Sequence, residues 1–401
     1  MSGDRPSVAA VDWFVLKLPA SYRFSDRPAV ERLPGTDYYF EPEWDQVYST
    51  RLESLLVRVE TSDGYHGWGE AQAPIVPEAP ATVLDRLLGP MVVGETLEDV
   101  PRLRDEMYRT MNVRGHYQGF MVDAVAALDT ALWDALGRSR SRPVHSLLGG
   151  TRRDTLPAYV SLPGFEREEQ VRQAERFVDD GFAGVKAFGG AGVAADIGTA
   201  TAIREALGDE PTIALDAFWS YTADEAVSLA SQLTTHSLAF LEAPLRPEDI
   251  DGHARVRDAA GISIAAGEPI RTRFEFARWF DADAVDVAQP DFLRTGLTEG
   301  NRIAGLASEN GVPIAPHFGA STVVGMAASW NLAATLDDLV FQEHQPRCFE
   351  VTNEFLEGGL SCEDGTLRVP GGPGLGINVD EEAISEHVVS SGRVDRSVPE
   401  N

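Results

Sequence analysis

The chain has 401 residues, 43% of them hydrophobic, enough for sizeable buried cores and too many for a disordered chain. Its formal net charge of −29 argues against nucleic acid or an anionic membrane as partner, since both select basic surface. No apolar run reaches the roughly 18–20 residues that a membrane helix needs, and the opening MSGDRPSVAA lacks the basic-then-apolar order of a signal peptide.

Cys348 and Cys362 are the only cysteines, too few for a disulfide framework or a zinc site. A cytoplasmic setting is the simplest expectation. Lys17 and Lys186 are the only lysines, while Asp and Glu number 63 and are spread along the chain. That composition resembles proteins of salt-rich cytoplasm, where a Debye length of about 3 Å at 1 M salt makes self-repulsion tolerable. An ordinary acidic enzyme is the alternative.

Residues 52–61, LESLLVRVET, alternate apolar and polar side chains and predict a strand. Asp63-Gly64 is a turn signal, and Tyr65-His66-Gly67-Trp68 begins the second strand of a hairpin. Residues 122–136, VDAVAALDTALWDAL, repeat apolar residues at helical spacing, with Gly137 as the expected stop. Strands followed by helices make residues 1–152 an α+β unit. From about residue 155, short apolar runs alternate with amphipathic stretches such as 168–179 and 223–233. The runs are 156–162, 184–188, 212–218, 238–245, 262–270, 284–292, 312–319 and 339–345. Eight such β–α units predict an α/β fold, a (β/α)8-type, modified TIM barrel over 153–369. Residues 370–401 leave the pattern, and GGPGLGINVDEEA (371–383) reads as a return to the first, capping unit.

In such a barrel the chemistry sits at the C-terminal ends of the strands. Read in order, those ends carry Lys186, Asp216, Glu242, Glu268, Asp291, His317 and Glu343. Asp216, Glu242 and Glu268 are each 26 apart, as are Asp291, His317 and Glu343. One strand–helix repeat thus delivers an ionisable residue to the same rim each time, between apolar flanks such as Phe240-Leu241 and Ala265-Ala266. Three carboxylates on consecutive strands repel, and are costly to desolvate, unless a cation joins them. Hard oxygen ligands that leave room for water and substrate suit Mg²⁺. The competing reading is salt bridges to arginines of neighbouring loops. On the other side, Asp291 can fix the tautomer of His317 and raise its basicity, which makes His317 a candidate general base. Glu343 could hydrogen-bond a developing oxyanion if it keeps a proton in so anionic a site.

These residues, together with AALDTALWD (126–134), PVHSLLGG (143–150), Glu242-Ala243-Pro244, Gly267-Glu268, Gln289-Pro290-Asp291, Ala315-Pro316-His317 and PGLG (373–376), resemble the enolase superfamily, specifically its mandelate racemase subgroup. The resemblance covers nearly the whole chain. It implies that Asp216, Glu242 and Glu268 are Mg²⁺ ligands and that Asp291 with His317 is the acid/base dyad. The shared chemistry would be removal of a proton alpha to a carboxylate. A muconate-lactonising relative is expected to carry lysine on the sixth strand, where this chain has Asp291.

Two departures from the family narrow the reaction. Family members commonly carry Lys-x-Lys at the second strand, where this chain has Lys186-Ala187-Phe188. At the third strand they carry Asp-x-His or Asp-x-Asn, where this chain has Asp216-Ala217-Phe218. One face of the site is therefore expected to be aromatic and aprotic, with His317 alone poised to move protons. A two-base racemase is disfavoured on that ground. A single histidine can take the alpha proton and return one to a leaving β-hydroxyl, so the expectation is a hydro-lyase. It would act on aldonates such as gluconate, galactonate or xylonate and give a 2-keto-3-deoxy acid. A sugar-lactone cycloisomerase or an epimerase is the alternative, and a non-catalytic metal-binding relative a remote one. Lys186 would bind the substrate carboxylate or tune charge beside the metal, unless a neighbouring acid simply holds it in place.

Residues 19–48, with Tyr22, Tyr38, Tyr39, Phe40 and Trp44, could close over the barrel as a lid. Met111–His116 is a second such loop. Tyr22, Arg114, His116 and, past the eighth strand, Arg347 are candidate substrate contacts. Packing between the two domains explains the aromatics equally well. The partner expected is a small sugar acid, with no nucleic acid and no membrane. Family resemblance adds a homo-oligomer, a dimer or octamer.

Overall fold

The computed structural model describes residues 5–19, 31–42, 44–150 and 152–396. A four-stranded antiparallel sheet is built on β1 (Val8–Leu18). It pairs with β4 (Leu52–Thr61) on one side and with the final strand, Val388–Asp395, on the other, and β5 (His66–Ala71) completes the hairpin with β4. The last strand of the chain thus lies against the first. Between β1 and β4, β2 (Tyr38–Glu41) and β3 (Gln46–Ser49) form a separate short hairpin. Helices α1 (Glu78–Val83), α2 (Gly89–Val92), α3 (Val100–Arg109), α4 (Phe120–Ser139) and α5 (Val144–Leu147) follow β5.

The backbone of α4 is pressed against β5. A Cβ on Gly67 would lie 2.2 Å from Ala135 N, and one on Gly69 2.1 Å from Ala127 O, so only glycine on the strand and small residues on the helix permit this approach. The helix runs through Gly137 rather than stopping there. A Cβ at that position would meet Gly374 Cα and Arg142 O, both at 2.7 Å, so Gly137 serves a backbone crossing. Asp134, buried on α4, accepts from Trp68 N and Leu375 N, both at 2.7 Å, and ties the sheet to the C-terminal segment.

The second sheet is a parallel barrel. β6 (Thr155–Ser161), β7 (Gly184–Phe188), β8 (Thr212–Asp216), β9 (Leu238–Glu242), β10 (Ile264–Ala266) and β11 (Val287–Ala288) pair in chain order, and β12 (Gln342–His344) pairs back onto β6. The seventh expected strand closes the gap only by isolated parallel bridges, Ala288 to Ile314, Asp291 to His317 and Ile314 to Leu339. Pro313 and Pro316 have no N–H to give a ladder, which explains why this segment makes bridges and no continuous strand. Several strands are shorter than their apolar runs because the residues beyond them turn outward into the rim. Helices α6 (Arg167–Asp179), α7 (Val193–Leu207), α8 (Ala223–Leu233), α9 (Ile250–Ala259), α10 (Arg273–Asp281), α11 (Phe292–Glu309) and α12 (Val323–Ala333) connect the strands. Tyr159, Ala214, Phe240, Ala265, Val287 and Ala315 form a buried cluster of their own, one contributed by most strands, as filled barrel interiors require.

Two features dock the first unit on the barrel. Asp129 on α4 accepts from Thr298 N at 2.8 Å and Thr298 Oγ1 at 2.6 Å, and the Trp133 indole N–H donates to the same hydroxyl at 2.8 Å. Glu70, at the end of β5, accepts from Thr322 N, Thr322 Oγ1 and Gly325 N, each at 2.7 Å. These bonds hold the start of α12, directly after the loop that carries His317. No described helix is long and apolar enough to cross a membrane.

Candidate active site

A cavity of about 370 Å³ lies at the C-terminal ends of the barrel strands, roofed by residues of the first unit. Lys186, Asp216, Glu268, His317 and Glu343 line it. Glu242 and Asp291 sit just behind, 2% and 0% exposed. All seven strand-end residues are therefore brought together.

Lys186 is the hub of the anionic side. Its ammonium lies 2.9 Å from Glu242 Oε1, 3.0 Å from Glu343 Oε1 and 3.5 Å from Asp216 Oδ2. Burial opposes its charge, but Glu242 and Glu343 outweigh that and carry its pKa well above the ordinary value. The one lysine of the barrel is thus the resident counter-charge of a carboxylate cluster. Asp216 shows the strain of that cluster: burial, and then repulsion by Glu242, push it up to about 8 despite Lys186.

Among the described residues, no group of three or more His, Cys, Asp or Glu side chains is gathered tightly enough to hold a metal ion as it stands. The donor set nonetheless fits one. Asp216 and Glu242 are register partners on adjacent strands, and Glu268 follows on the next. All are hard oxygen donors, and one ammonium leaves the cluster short of positive charge, as the raised Asp216 reports.

Across the cavity, His317 Nδ1 lies 2.9 Å from Asp291 Oδ2, and Asp291 Oδ1 accepts from Leu293 N at 2.8 Å. With Nδ1 committed, Nε2 is the nitrogen turned to the cavity, 3.9 Å from Glu268 Oε2. Burial disfavours the imidazolium, but Glu268, Glu343 and Asp291 reverse this and raise His317 to about 9. The site can therefore hold this histidine charged as well as neutral.

Glu343 departs from expectation. Burial would favour its protonated form, yet Lys186 and His317 hold its pKa below the ordinary value. It also accepts from Phe318 N at 2.8 Å and from the Ser161 hydroxyl. It is a carboxylate engaged with donors on several sides, not a neutral hydrogen-bond donor.

The remaining wall is aromatic. Phe188 and Phe218 sit 5.1 Å apart on the second and third strand ends, and Phe165 lies 5.2 Å from Phe188. Trp44, from the turn between β2 and β3, stacks on Phe218 at 4.7 Å and meets Phe165 at 4.4 Å. In an eight-stranded barrel the third strand stands opposite the seventh. Phe218 and His317 line the same cavity, and neither the second nor the third strand end carries an ionisable group beyond Lys186 and Asp216.

Of the other candidate contacts, Arg347 lines the cavity. Arg114 and His116 do not: they are exposed on a turn outside it, reversed at Gly115 (φ 87°), while Phe120 and Asp123 a few residues on reach the cavity instead. Tyr22 lies outside the described residues. The lid is represented by Gln46, Val47, Tyr48 and Ser49 of β3, which line the mouth. Sequence reasoning missed Arg271, which grips Asp123 at 2.7 and 3.2 Å, and Arg294, whose Nη2 lies 3.1 Å from Glu268. Arg294 could have been found, since it falls one helical turn after Asp291.

A barrel with its chemistry at the strand ends and a roof from a separate α+β unit defines a barrel enzyme with a capping domain. Residues 47–149 match the family described as "Mandelate racemase / muconate lactonizing enzyme, N-terminal domain", and residues 169–383 match "Enolase C-terminal domain-like". The chain belongs to the enolase superfamily, in its mandelate racemase group. Among curated relatives it is 31% identical to an arabinonate dehydratase of Saccharolobus solfataricus, over 85% of this chain and 92% of that one. It is 31% identical to a D-galactarolactone cycloisomerase of Agrobacterium fabrum, over 84% and 91%. It is 28% identical to a D-xylonate dehydratase of Haloferax volcanii, over 84% and 85%.

Proposed function

We propose that this protein is an acid-sugar dehydratase that uses Mg²⁺ and a single histidine. The observation that carries this reading is the His317–Asp291 dyad in a cavity that Phe188 and Phe218 also line. Asp216, Glu242 and Glu268 would hold the cation, which would neutralise the charge that builds on the substrate carboxylate. Lys186 supplies positive charge to Glu242, Asp216 and Glu343 and favours the ionised form of Glu343. Asp291 holds the His317 tautomer with Nε2 free. That nitrogen takes the proton alpha to the carboxylate, and the electron pair of the broken C2–H bond forms the C2–C3 double bond as the β-hydroxyl leaves. The imidazolium so formed supplies the proton with which the hydroxyl departs as water. The enol then ketonises to the 2-keto-3-deoxy acid. Proton removal and return on one face need no second acid, which fits Phe188 and Phe218, neither of them ionisable, in the cavity wall.

The test is a panel of aldonic and aldaric acids and their lactones, incubated with the protein and Mg²⁺ in molar salt. The expected result is keto-acid from one or a few aldonates. Lactone isomerisation without keto-acid would select the cycloisomerase reading, which the Agrobacterium relative represents. Epimer formation would show a second proton carrier and refute the one-histidine mechanism.

A further inference from the structure

The first unit reaches into the barrel at the end of β5. Glu70 and Gln72 are two residues apart, the spacing that puts side chains on one face of a strand. Both meet the segment that follows His317. Glu70 holds the N–H groups at the start of α12. Gln72 reaches nearer the dyad, where its carboxamide oxygen accepts from the Ser321 hydroxyl. It is 4% exposed and lines the cavity.

The amide nitrogen is placed differently. Among the described residues none accepts from Gln72 Nε2, although that group has two N–H bonds to give. It also lies close to the dyad. A Cβ on Gly319 would be 2.2 Å from Gln72 Nε2 and 3.3 Å from His317 Cε1, the ring carbon bonded to the nitrogen that faces the cavity. Gly319 is not in the left-handed region, so space rather than backbone conformation calls for glycine there. A strut for the loop needs only the carboxamide oxygen. A donor this far from bulk water costs free energy if nothing accepts from it, and the cavity is the one place from which an acceptor can come.

We infer that Gln72 is a substrate-binding residue whose amide N–H takes a hydroxyl oxygen of the sugar-acid chain beyond C3. Ser321 fixes the carboxamide by its oxygen, and Gly319 leaves room for its nitrogen. The inference rests on the dehydratase reading, in which the substrate carboxylate goes to the cation and C2 to His317, so that the rest of the chain passes Gln72. A site built to hydrogen-bond a substrate hydroxyl discriminates strongly against the analogue that lacks it. Gln72 would therefore be a residue that sets which sugar acid is accepted.

Steady-state kinetics of the full chain with Mg²⁺ test this. Wild type is compared with Gln72→Met, which keeps the length and deletes the amide, on a sugar acid that the protein converts and on its 4-deoxy and 5-deoxy analogues. Gln72→Met is expected to lose about tenfold in kcat/KM on the parent acid. With one of the two analogues the variant and wild type are expected to be equal, because hydroxyl and donor are then one missing contact. The pH profile of kcat/KM is expected to keep its wild-type limbs. Wild-type kcat/KM on the parent acid, the same loss on all three acids, or a shifted pH profile would overturn the inference; the last two would make Gln72 a support of the His317 loop. An epimer or an isomerised lactone in place of keto-acid would refute the dehydratase reading, and the comparison of variant and analogues is then read on that product. No turnover of any sugar acid would refute both. Should Gln72→Met fail to fold by circular dichroism, Gly319→Ala, whose Cβ would displace the amide nitrogen, is held to the same criteria.

Discussion

Replacing Lys186 with methionine is the sharpest perturbation of the electrostatics described here. The ammonium is 1% exposed and lies 2.9, 3.0 and 3.5 Å from three carboxylates. Methionine fills similar space, so the change is mainly one of charge. Breaking a buried ion pair by removing one partner costs about 3–5 kcal/mol, because the remaining charge is left buried and uncompensated. With three acids sharing this cation, the upper part of that range is expected for the metal-free protein. The pH dependence follows in sign. In the wild type the folded pKa of Lys186 is raised above 10.5, so its stabilisation is complete below that value and lost only as pH climbs through the raised one. In the variant the freed carboxylates have raised pKa values, so stability improves as pH falls from 8 towards 5. Added Mg²⁺ supplies positive charge to the same cluster and narrows the gap. Urea unfolding of both proteins at pH 8 and pH 5, with and without Mg²⁺, reads all of this. A loss below about 1 kcal/mol at pH 8 without Mg²⁺, or a loss that Mg²⁺ does not reduce, would refute the hub assignment.

Three further outcomes are expected. His317 is raised from 6.5 to about 9, so its stabilising contribution is complete below pH 6.5 and disappears as pH rises to 9; urea midpoints of wild type and His317→Asn should converge over that window, and parallel curves would contradict it. Trp44→Ala removes the stack on Phe218 and Phe165, contacts worth about 0.5–1.5 kcal/mol each, and should raise KM about tenfold while Mg²⁺ affinity measured by calorimetry stays unchanged. A chain of net charge −29 should gain stability as salt is raised from 0.1 to 2 M KCl, and a flat urea midpoint would show that self-repulsion is not limiting.

Much of the barrel was legible because its strands announce themselves twice, as apolar runs and as ionisable residues at their ends. The 26-residue interval is the β–α repeat itself, so it marks Asp216, Glu242 and Glu268 as residues of one rim. What one repeat cannot reveal is contact between repeats. Arg294 meeting Glu268, Arg271 meeting Asp123 from the capping domain, and Lys186 serving three acids at once all depend on how strands are staggered around the barrel. Gly137 misled because a glycine late in a helical pattern signals a stop, whereas here it admits the crossing of Gly374. The seventh strand was predicted at full length because Ile314 and Ala315 are apolar, but Pro313 and Pro316 withhold the N–H groups a ladder needs. Arg114 and His116 were chosen for their chemistry, and nothing in the sequence fixes which side of the turn at Gly115 faces the cavity. The left-handed backbone of Phe218 and Trp219, with φ of 50° and 59°, had no signal at all, since no glycine or asparagine marks it.

The most direct test of the central claim follows hydrogen at the alpha carbon. An aldonate that the protein converts is incubated in D₂O with Mg²⁺, and loss of the C2 proton and growth of keto-acid are followed together by NMR for wild type and His317→Asn. If His317 is the only group that moves protons, both signals vanish in the variant, by at least about 10²-fold, while calorimetry shows Mg²⁺ still bound. Exchange at C2 that persists in His317→Asn would contradict the account, because some other residue would then be the base.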